Sequence, residues 1–377
     1  MARHYGNKPS GKAPVSRREL LRHGFTVGAA LTTLGASASV GRVHAYAAAA
    51  PAGGGRAGEV IVRTSGGSVE DAYRKAIWEP FSAATGIQVV NFTANAAKVQ
   101  AMIESGKVNL DVLDIAENLA LILQKRGALE KLQTSKFVRT NLHDMNIVHD
   151  YYMGESTYAT VIGYNTNVFP TKHPANWAAF WDVSAFPGPR VLEDFAADVG
   201  TLEFALLADG VPMNKLYPID IDRAFKKLRE IRKSIVQFWS SAAVAAQMLA
   251  NKDAVLGAFS ASRLIVLAKA GAPVAIEWNQ AAIESQVLCI LKGAPNLANA
   301  YKYLDFALQP RQQAEVAHIM GFGPLNRKAF SYVDAATANL LPTSPAHLKD
   351  SFFINMAWWF DNRSEVLKRW QAFLLGG

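Results

Sequence analysis

Carboxylates, tryptophans and loop glycines are the residues of this chain whose types and spacing suit chemistry, and they suit binding rather than bond-making. No GxSxG, HExxH, P-loop or GxGxxG pattern occurs, so neither a catalytic nucleophile nor a phosphate cradle is indicated. The eight histidines are scattered rather than spaced as metal ligands, and His4, His23 and His44 fall within the first fifty residues; no metal and no cofactor is expected. The single cysteine, Cys289, lies in the apolar run Gln286–Leu291 and reads as a buried structural thiol that can form no internal disulfide. What remains is Asp114 and Glu117 in DIAE, the glycine-bearing segment Thr64–Ser68, the indoles of Trp239 and Trp278, and Arg263 just past Phe259–Ser262; each aromatic candidate, Phe259 included, reads more readily as core than as cleft. Acids and indole faces attract an ammonium group. Asp114 has a second reading, as the cap of the helix that follows it. A carboxylate combined with Arg263 would suit an amino-acid-like zwitterion.

The elements that position these groups alternate. Glu59–Arg63 is a strand, and a polar loop leads from it into a helix with Val69, Ala72, Tyr73, Ala76 and Ile77 on one face, ended by Gly86. Ile87–Phe92 is a second strand, Asn95 caps a helix that ends near Gly106, and the strand Asp111–Ile115 precedes a helix over Glu117–Arg126. Alternating strands and helices imply βαβ units and a parallel sheet. In such sheets ligands sit beyond the carboxyl ends of strands, here Thr64–Ser68 and Asp114–Glu117. The stretch Thr160–Phe169 (TVIGYNTNVF) carries a Gly-Tyr-Asn turn signal and is expected to be a hinge, with Tyr164 and Asn165 near a cleft floor. Beyond it the alternation resumes: a strand at Arg190–Leu192, helices at Asp198–Asp209 and Ile221–Lys233, a strand at Ile235–Trp239, a helix at Ala242–Asn251 and a strand at Ala254–Phe259. Ala275–Trp278 and Ser285–Leu291 are expected to carry the chain back across the hinge.

A length of 377 residues allows two domains, and a chain that is 50% hydrophobic and 19% charged can build a large core. The net charge of +8 invites a nucleic-acid reading, but seven of the 39 basic residues and one of the 31 acids lie in residues 1–50. The remainder carries 32 basic and 30 acidic residues, so no nucleic-acid surface is indicated. Ser16-Arg17-Arg18-Glu19-Leu20-Leu21-Arg22 resembles a twin-arginine (Tat) export signal, followed by a Gly/Ala/Thr-rich apolar segment and small-residue cleavage sites. Export through the Tat machinery to the periplasm is therefore expected, with no lipid anchor.

Taken in order, ATGIQV, ESGKVNLDVLDI, QKRGALEKL, GYNTNVF, NWAAFWD and FALQPRQQAEVAHIMGFGPLN resemble the extracellular solute-binding proteins of ABC importers, in the branch that includes spermidine/putrescine-binding proteins. The resemblance covers about Glu59–Phe330 and implies an α/β, two-lobed periplasmic-binding-protein type II (Venus flytrap) fold. It implies a monomer that captures a small amine-bearing solute, a polyamine first and a GABA-type amino acid second, and delivers it to ABC permease and ATPase subunits. The expected divisions are a leader at 1–50, a linker at 51–58, lobe one at 59–162 and 285–330, lobe two at 163–284, and C-terminal helices at 331–377 packing on the lobes. By the same resemblance the solute meets Ser65, Gly66, Gly67, Asp114 and Glu117 from lobe one, and Asp194 and Asp198 from lobe two, where Asp198 has a competing role as a helix cap. Phe259-Ser260 stands where polyamine binders carry Trp-Asn, and the returning Trp-x-Asp of that branch has no clean match around Glu284-Ser285-Gln286. Ferric binding by an adjacent tyrosine pair would need Tyr151-Tyr152 in lobe two, and the pair precedes the hinge. A periplasmic enzyme on the same fold is the competing class.

Overall fold

EVIVRT at Glu59–Thr64 is apolar at consecutive positions, the pattern of a strand covered on both faces, and five of its six residues are buried. The computed structural model describes residues 58–64, 66–137, 149–194 and 200–376. The leader, most of the linker, Ser65 and Asp198 lie outside the described residues. From this first strand, β1, the chain enters α1 (Gly67–Tyr73), a π turn (Arg74–Trp78) and α2 (Glu79–Thr85), which stops at Gly86 with φ 73°. There follow β2 (Gln88–Thr93), α3 (Ala96–Glu104), β3 (Val112–Ala116), α4 (Glu117–Lys125) and β4 (Met153–Asn165). The next run comprises α5 (Trp177–Trp181), β5 (Arg190–Glu193), α6 (Thr201–Ala208), α7 (Ile221–Ile231), β6 (Ile235–Trp239), α8 (Ala242–Asn251), β7 (Leu256–Ser260) and α9 (Ala261–Lys269). Then come β8 (Val274–Ile290), α10 (Leu297–Ala307), α11 (Pro310–Met320), β9 (Gly323–Pro324), the single turns α12 (Ala335–Ala338) and α13 (Pro345–Leu348), β10 (Ser351–Phe353) and α14 (Met356–Leu374).

The strands form one sheet in the order β2-β1-β3-β8-β4-β7-β5-β6, with β9 on β4 and β10 on β8. β1 is parallel to β2 and β3, β5 is parallel to β6 and β7, and the β3–β8, β8–β4 and β4–β7 pairs are antiparallel. β1–β4 therefore run one way and β5–β8 the other. The carboxyl end of β3 reaches the level Ala116↔Gln286↔Ser156, whereas that of β7 reaches Ser260↔Thr160↔Ala282 from the opposite side. Only Thr157–Ala159 of β4 and Ile283–Ser285 of β8 lie between these levels. Both halves of the sheet thus aim the carboxyl ends of their strands at one short crossing, the place where an open α/β sheet receives its ligand.

Two expectations change. Gly163-Tyr164-Asn165 is strand rather than turn, because β4 continues to Asn165 and the turn comes after it, closed by Val168 and Phe169 amides on the Asn165 carbonyl. The expected pair of returning segments is a single strand, β8, with a wide bulge: Thr160 pairs with Ala282 but Ile162 pairs with Glu277. The bulge residue Gln280 takes φ 63°, accepts the Trp177 amide on its side chain (3.0 Å) and accepts the Trp177 indole on its carbonyl (3.0 Å).

Packing makes clear why the crossing is firm. Gly163 and Gly257 face each other across β4 and β7, and Phe259 lies over both: a Cβ on Gly163 would stand 2.5 Å from Phe259 Cδ2 and 2.5 Å from Leu264 Cδ1. Near the β5 start, the fully buried Arg190 guanidinium donates to the carbonyls of Phe180 (3.1 Å), Gly188 (2.6 Å) and Phe186, and burial pushes its pKa down to about 10. It closes the α5–β5 turn in place of regular structure. In α14, Trp359, Trp370 and Phe373 join the core around α5–α7, while Lys125 of α4 pairs with Asp361 at 2.6 Å.

Two stability measurements follow from these contacts. Gly163→Ala is expected to lower stability by about 1–3 kcal/mol through overpacking against two core side chains. Arg190→Met leaves three carbonyls without their donor and is expected to cost about 2–4 kcal/mol. Urea unfolding of each variant checks both.

Candidate functional site

At the crossing, Tyr158 and Glu284 are register partners, and the Tyr158 hydroxyl donates to Glu284 Oε2 at 3.3 Å. Tyr158 is half-buried and Glu284 is buried. Period-two alternation keeps Glu284, Gln286 and Leu288 on one face of β8, and Leu288 packs with Tyr73 and Tyr303 on that face, whereas Val287 and Cys289 belong to the opposite core. A register shift between Gly154 and Ser156 places a bulge at Glu155. As a result both neighbours meet the same phenol: the Tyr73 hydroxyl donates to Glu155 Oε2 at 2.6 Å and lies 3.4 Å from Ser156 Oγ. Asp114, on β3 opposite Leu288, completes this buried polar floor.

The floor is rich in acid and poor in compensating charge. The nearby cation, Arg63, spends its bonds on backbone, with Nε to Ala94 O at 2.7 Å and Nη1 to Asp114 O at 2.6 Å. Neither Asp114 oxygen finds a donor at hydrogen-bonding geometry, although Tyr73 and Gln286 lie close enough to favour its charged form, and Glu155 Oε1 is likewise unpartnered. Burial, and then the charge of Glu155, holds the Asp114 carboxyl well above the usual carboxylate range, with Arg63 opposing. Burial pushes Glu155 up to about 7, and the Tyr73 bond offsets only part of it. The Tyr73 phenol is itself pushed far up, first by burial and then by the two acids, so it remains a donor.

The helices around the crossing add the opposite polarity. The starts of α1 (Gly66), α4 (Ala116), α8 (Ser241) and α9 (Ser260), which follow β1, β3, β6 and β7, have no side-chain cap. Of the other helices, α3, α5, α7 and α14 are capped by Asn95, Asn176, Asp220 and Asn355, while α2, α6, α10 and α11 have no side-chain cap either. Uncapped helix starts present backbone N–H groups and the positive end of the helix dipole, which favour an anion.

The residues expected at the site divide accordingly. Asp114, Glu284 and Ser260 lie at or beside the crossing; Gly66 and Gly67, at φ 85° and 64°, form the uncapped α1 start. Glu117 begins α4, where Tyr152 donates to it at 3.2 Å and burial raises its carboxyl. Asp194 follows β5 and accepts the Trp370 indole at 3.0 Å. Trp239 and Phe259 are core residues: the Trp239 indole donates to Ala258 O at 2.9 Å, and Phe259 covers the glycine pair. Arg263 is exposed on α9. Tyr164 stacks on His173 with ring centroids 4.2 Å apart, six residues and about 20 Å of strand from Tyr158, and Trp278 stacks on His347 beside the bulge. Sequence reasoning missed Tyr73, Glu155, Ser156 and Tyr158. The run STYATVI, β-branched and aromatic, is the signal that would have extended β4 back to them.

Comparison with known proteins agrees with this geometry. The family described as bacterial extracellular solute-binding protein matches residues 76–343. The chain is 31% identical over 336 residues to the gamma-aminobutyric acid-binding protein of Pseudomonas aeruginosa, covering 87% of this chain and 94% of the relative. It is 25% identical over 228 residues to the spermidine/putrescine-binding periplasmic protein of Salmonella typhimurium, covering 58% and 64%. Among solved structures, an ABC transporter substrate-binding protein from Bradyrhizobium japonicum USDA 110 superposes with a TM-score of 0.78 at 35% identity, covering 84% of this chain and 99% of that one. The Atu4243-GABA receptor gives 0.74 at 34% identity, covering 83% and 97%. With a sheet whose two halves converge on one acid-floored crossing, and with this likeness over most of its length, the chain belongs to the bacterial extracellular solute-binding proteins.

Proposed function

We propose that this protein is the solute receptor of an ABC importer and that its solute is a small zwitterion of the ω-amino-acid class, such as γ-aminobutyrate. The observation that carries this reading is the pairing of opposite polarities at the crossing: buried carboxylates on the floor and uncapped helix starts around it. The acids suit the ammonium end and the free helix amides suit the carboxylate end. A polyamine is cationic throughout and has no anionic group to meet those amides, so the amino-acid solute takes precedence over the polyamine expected first. The names of the relatives with the broader coverage point the same way. Closure of two lobes hinged at Thr157–Ala159 and Ile283–Ser285 would bury the solute, and release to a permease with its ATPase would follow reopening. We place the working protein in the periplasm as a monomer, exported through the twin-arginine signal at Ser16–Arg22.

Thermal-shift titration tests the solute. γ-Aminobutyrate is expected to raise the melting temperature and putrescine to leave it almost unchanged; the reverse ranking would restore the polyamine. Glu284→Gln is expected to weaken γ-aminobutyrate binding about ten- to hundredfold, the equivalent of ~1.5–3 kcal/mol for a hydrogen bond to a charged group. Replacing Arg17 and Arg18 by lysine is expected to leave the protein in the cytoplasm, which fractionation would read; normal export of that variant would remove the Tat assignment.

A further inference from the structure

Asp114 and Glu155 pose a charge problem that the fold leaves open. They stand on β3 and β4, on either side of β8, and their side chains share one buried face with Tyr73. Both are at least nine-tenths buried, and three of their four carboxyl oxygens have no hydrogen-bond partner. Neither is in an ion pair among the described residues. On their face the titratable groups are Tyr73 from α1, Tyr303 from α10 and, two positions along the strands, Glu284 of β8 with Tyr158 of β4; Arg63 of β1 and Cys289 of β8 act on Asp114 from the other face of the sheet. The thiol and the Tyr73 and Tyr303 phenols are driven up by burial and stay neutral. Arg63 is the single cation of the set, and its bonds go to carbonyls. Two buried carboxylates near one such cation are costly to ionise together, so near neutral pH the pair holds a proton that an arriving positive charge can displace.

That charge can come from the solute. Glu155 adjoins Ser156, which pairs with Gln286, two positions before the Tyr158–Glu284 pair. The separation along the strand is about 7 Å, inside the range at which buried charges interact with little screening. We propose that capture of the solute expels one proton from the Asp114–Glu155 pair, the arriving ammonium group replacing that proton as the positive charge the two buried carboxylates require. The inference rests on the reading of the solute as ammonium-bearing. In balance, a protonated carboxyl plus R–NH3+ gives a carboxylate facing R–NH3+ and one H+ released to solvent; no covalent bond other than O–H changes. The sign follows directly: releasing a proton on binding makes the solute bind more tightly as pH rises, by up to about tenfold per pH unit while the free protein still holds the proton, levelling off once it does not.

Two measurements decide it. In the free protein, an infrared band of a protonated carboxyl is expected at pH 6 and is expected to weaken by pH 8 as Glu155 loses its proton, a pH-dependent loss absent from Glu155→Gln. Calorimetric titration with γ-aminobutyrate at pH 6.5 in phosphate and in Tris is expected to show a buffer-dependent heat corresponding to release of up to one proton. Glu155→Gln is expected to lose this heat together with the rise in affinity between pH 6 and pH 8. Tyr73→Phe, which removes a donor that favours the charged carboxylate, is expected to move the midpoint of the release to higher pH. Binding of γ-aminobutyrate with no buffer dependence would overturn proton exchange while leaving the solute assignment intact. A clear carboxyl band with no γ-aminobutyrate binding would overturn the solute assignment, and the coupling with it. Absence of the band in wild type would overturn the coupling by itself.

Discussion

The antiparallel pairing of β4 with β8 is the constraint on which the rest of this structure depends. These two strands, of 13 and 17 residues, are the longest among the described residues, and each belongs to both halves of the sheet. Their opposed directions force β1–β3 and β5–β7 to present carboxyl ends toward one another. The gap between the two sets is three residues of β4 and three of β8. The location of the site follows from register before any side chain is considered. Register in turn is fixed by bulges at Glu155 and at Trp278–Ala281, which re-aim side chains where regular pairing would have buried or exposed the wrong ones.

Chemistry at the crossing comes from what the fold leaves uncompensated. Some buried polar groups elsewhere are well matched: Asp111 accepts from Ile61 N, Asn296 N and Asn296 Nδ2, and Glu203 Oε1 accepts from Tyr217 at 2.5 Å and Trp359 at 2.7 Å. Arg190 is consumed by carbonyls. At the crossing both Asp114 oxygens and one Glu155 oxygen lack donors, and the helix starts that follow β1, β3, β6 and β7 lack side-chain caps. A fold optimised for stability alone would have filled both, since each unmatched buried group costs free energy. The mismatch has a natural counterpart in a solute that carries one charge of each sign.

Much of the architecture was legible from one sequence. The strand and helix alternation up to α4, the Asn95 cap, the amphipathic α7 and the strands β5–β7 all fall within a few residues of their expected bounds, because each is set by local periodicity and local capping chemistry. The family order of motifs was legible for the same reason. The N-terminal half of β4 was not: MGEST mixes glycine, acid and hydroxyl residues, a composition that reads as loop until a neighbouring strand supplies the hydrogen bonds. Tyr73 read only as one member of an apolar helix face, although its hydroxyl is the main donor to Glu155.

The sequence by itself determined most of the helices and the shorter strands and the alternation that makes two α/β halves, since these depend on interactions between residues close in the chain, and its order of motifs pointed to the family. Only the tertiary structure decided that Tyr158 meets Glu284, 126 positions away, that Phe259 and Trp239 fill the core while Asp114 and Glu155 share a buried face, and that Tyr164 stands far from the crossing. Those facts depend on strand register and on two bulges. A shift of one residue in either would exchange the faces of every side chain concerned, and local sequence carries no term that sets it.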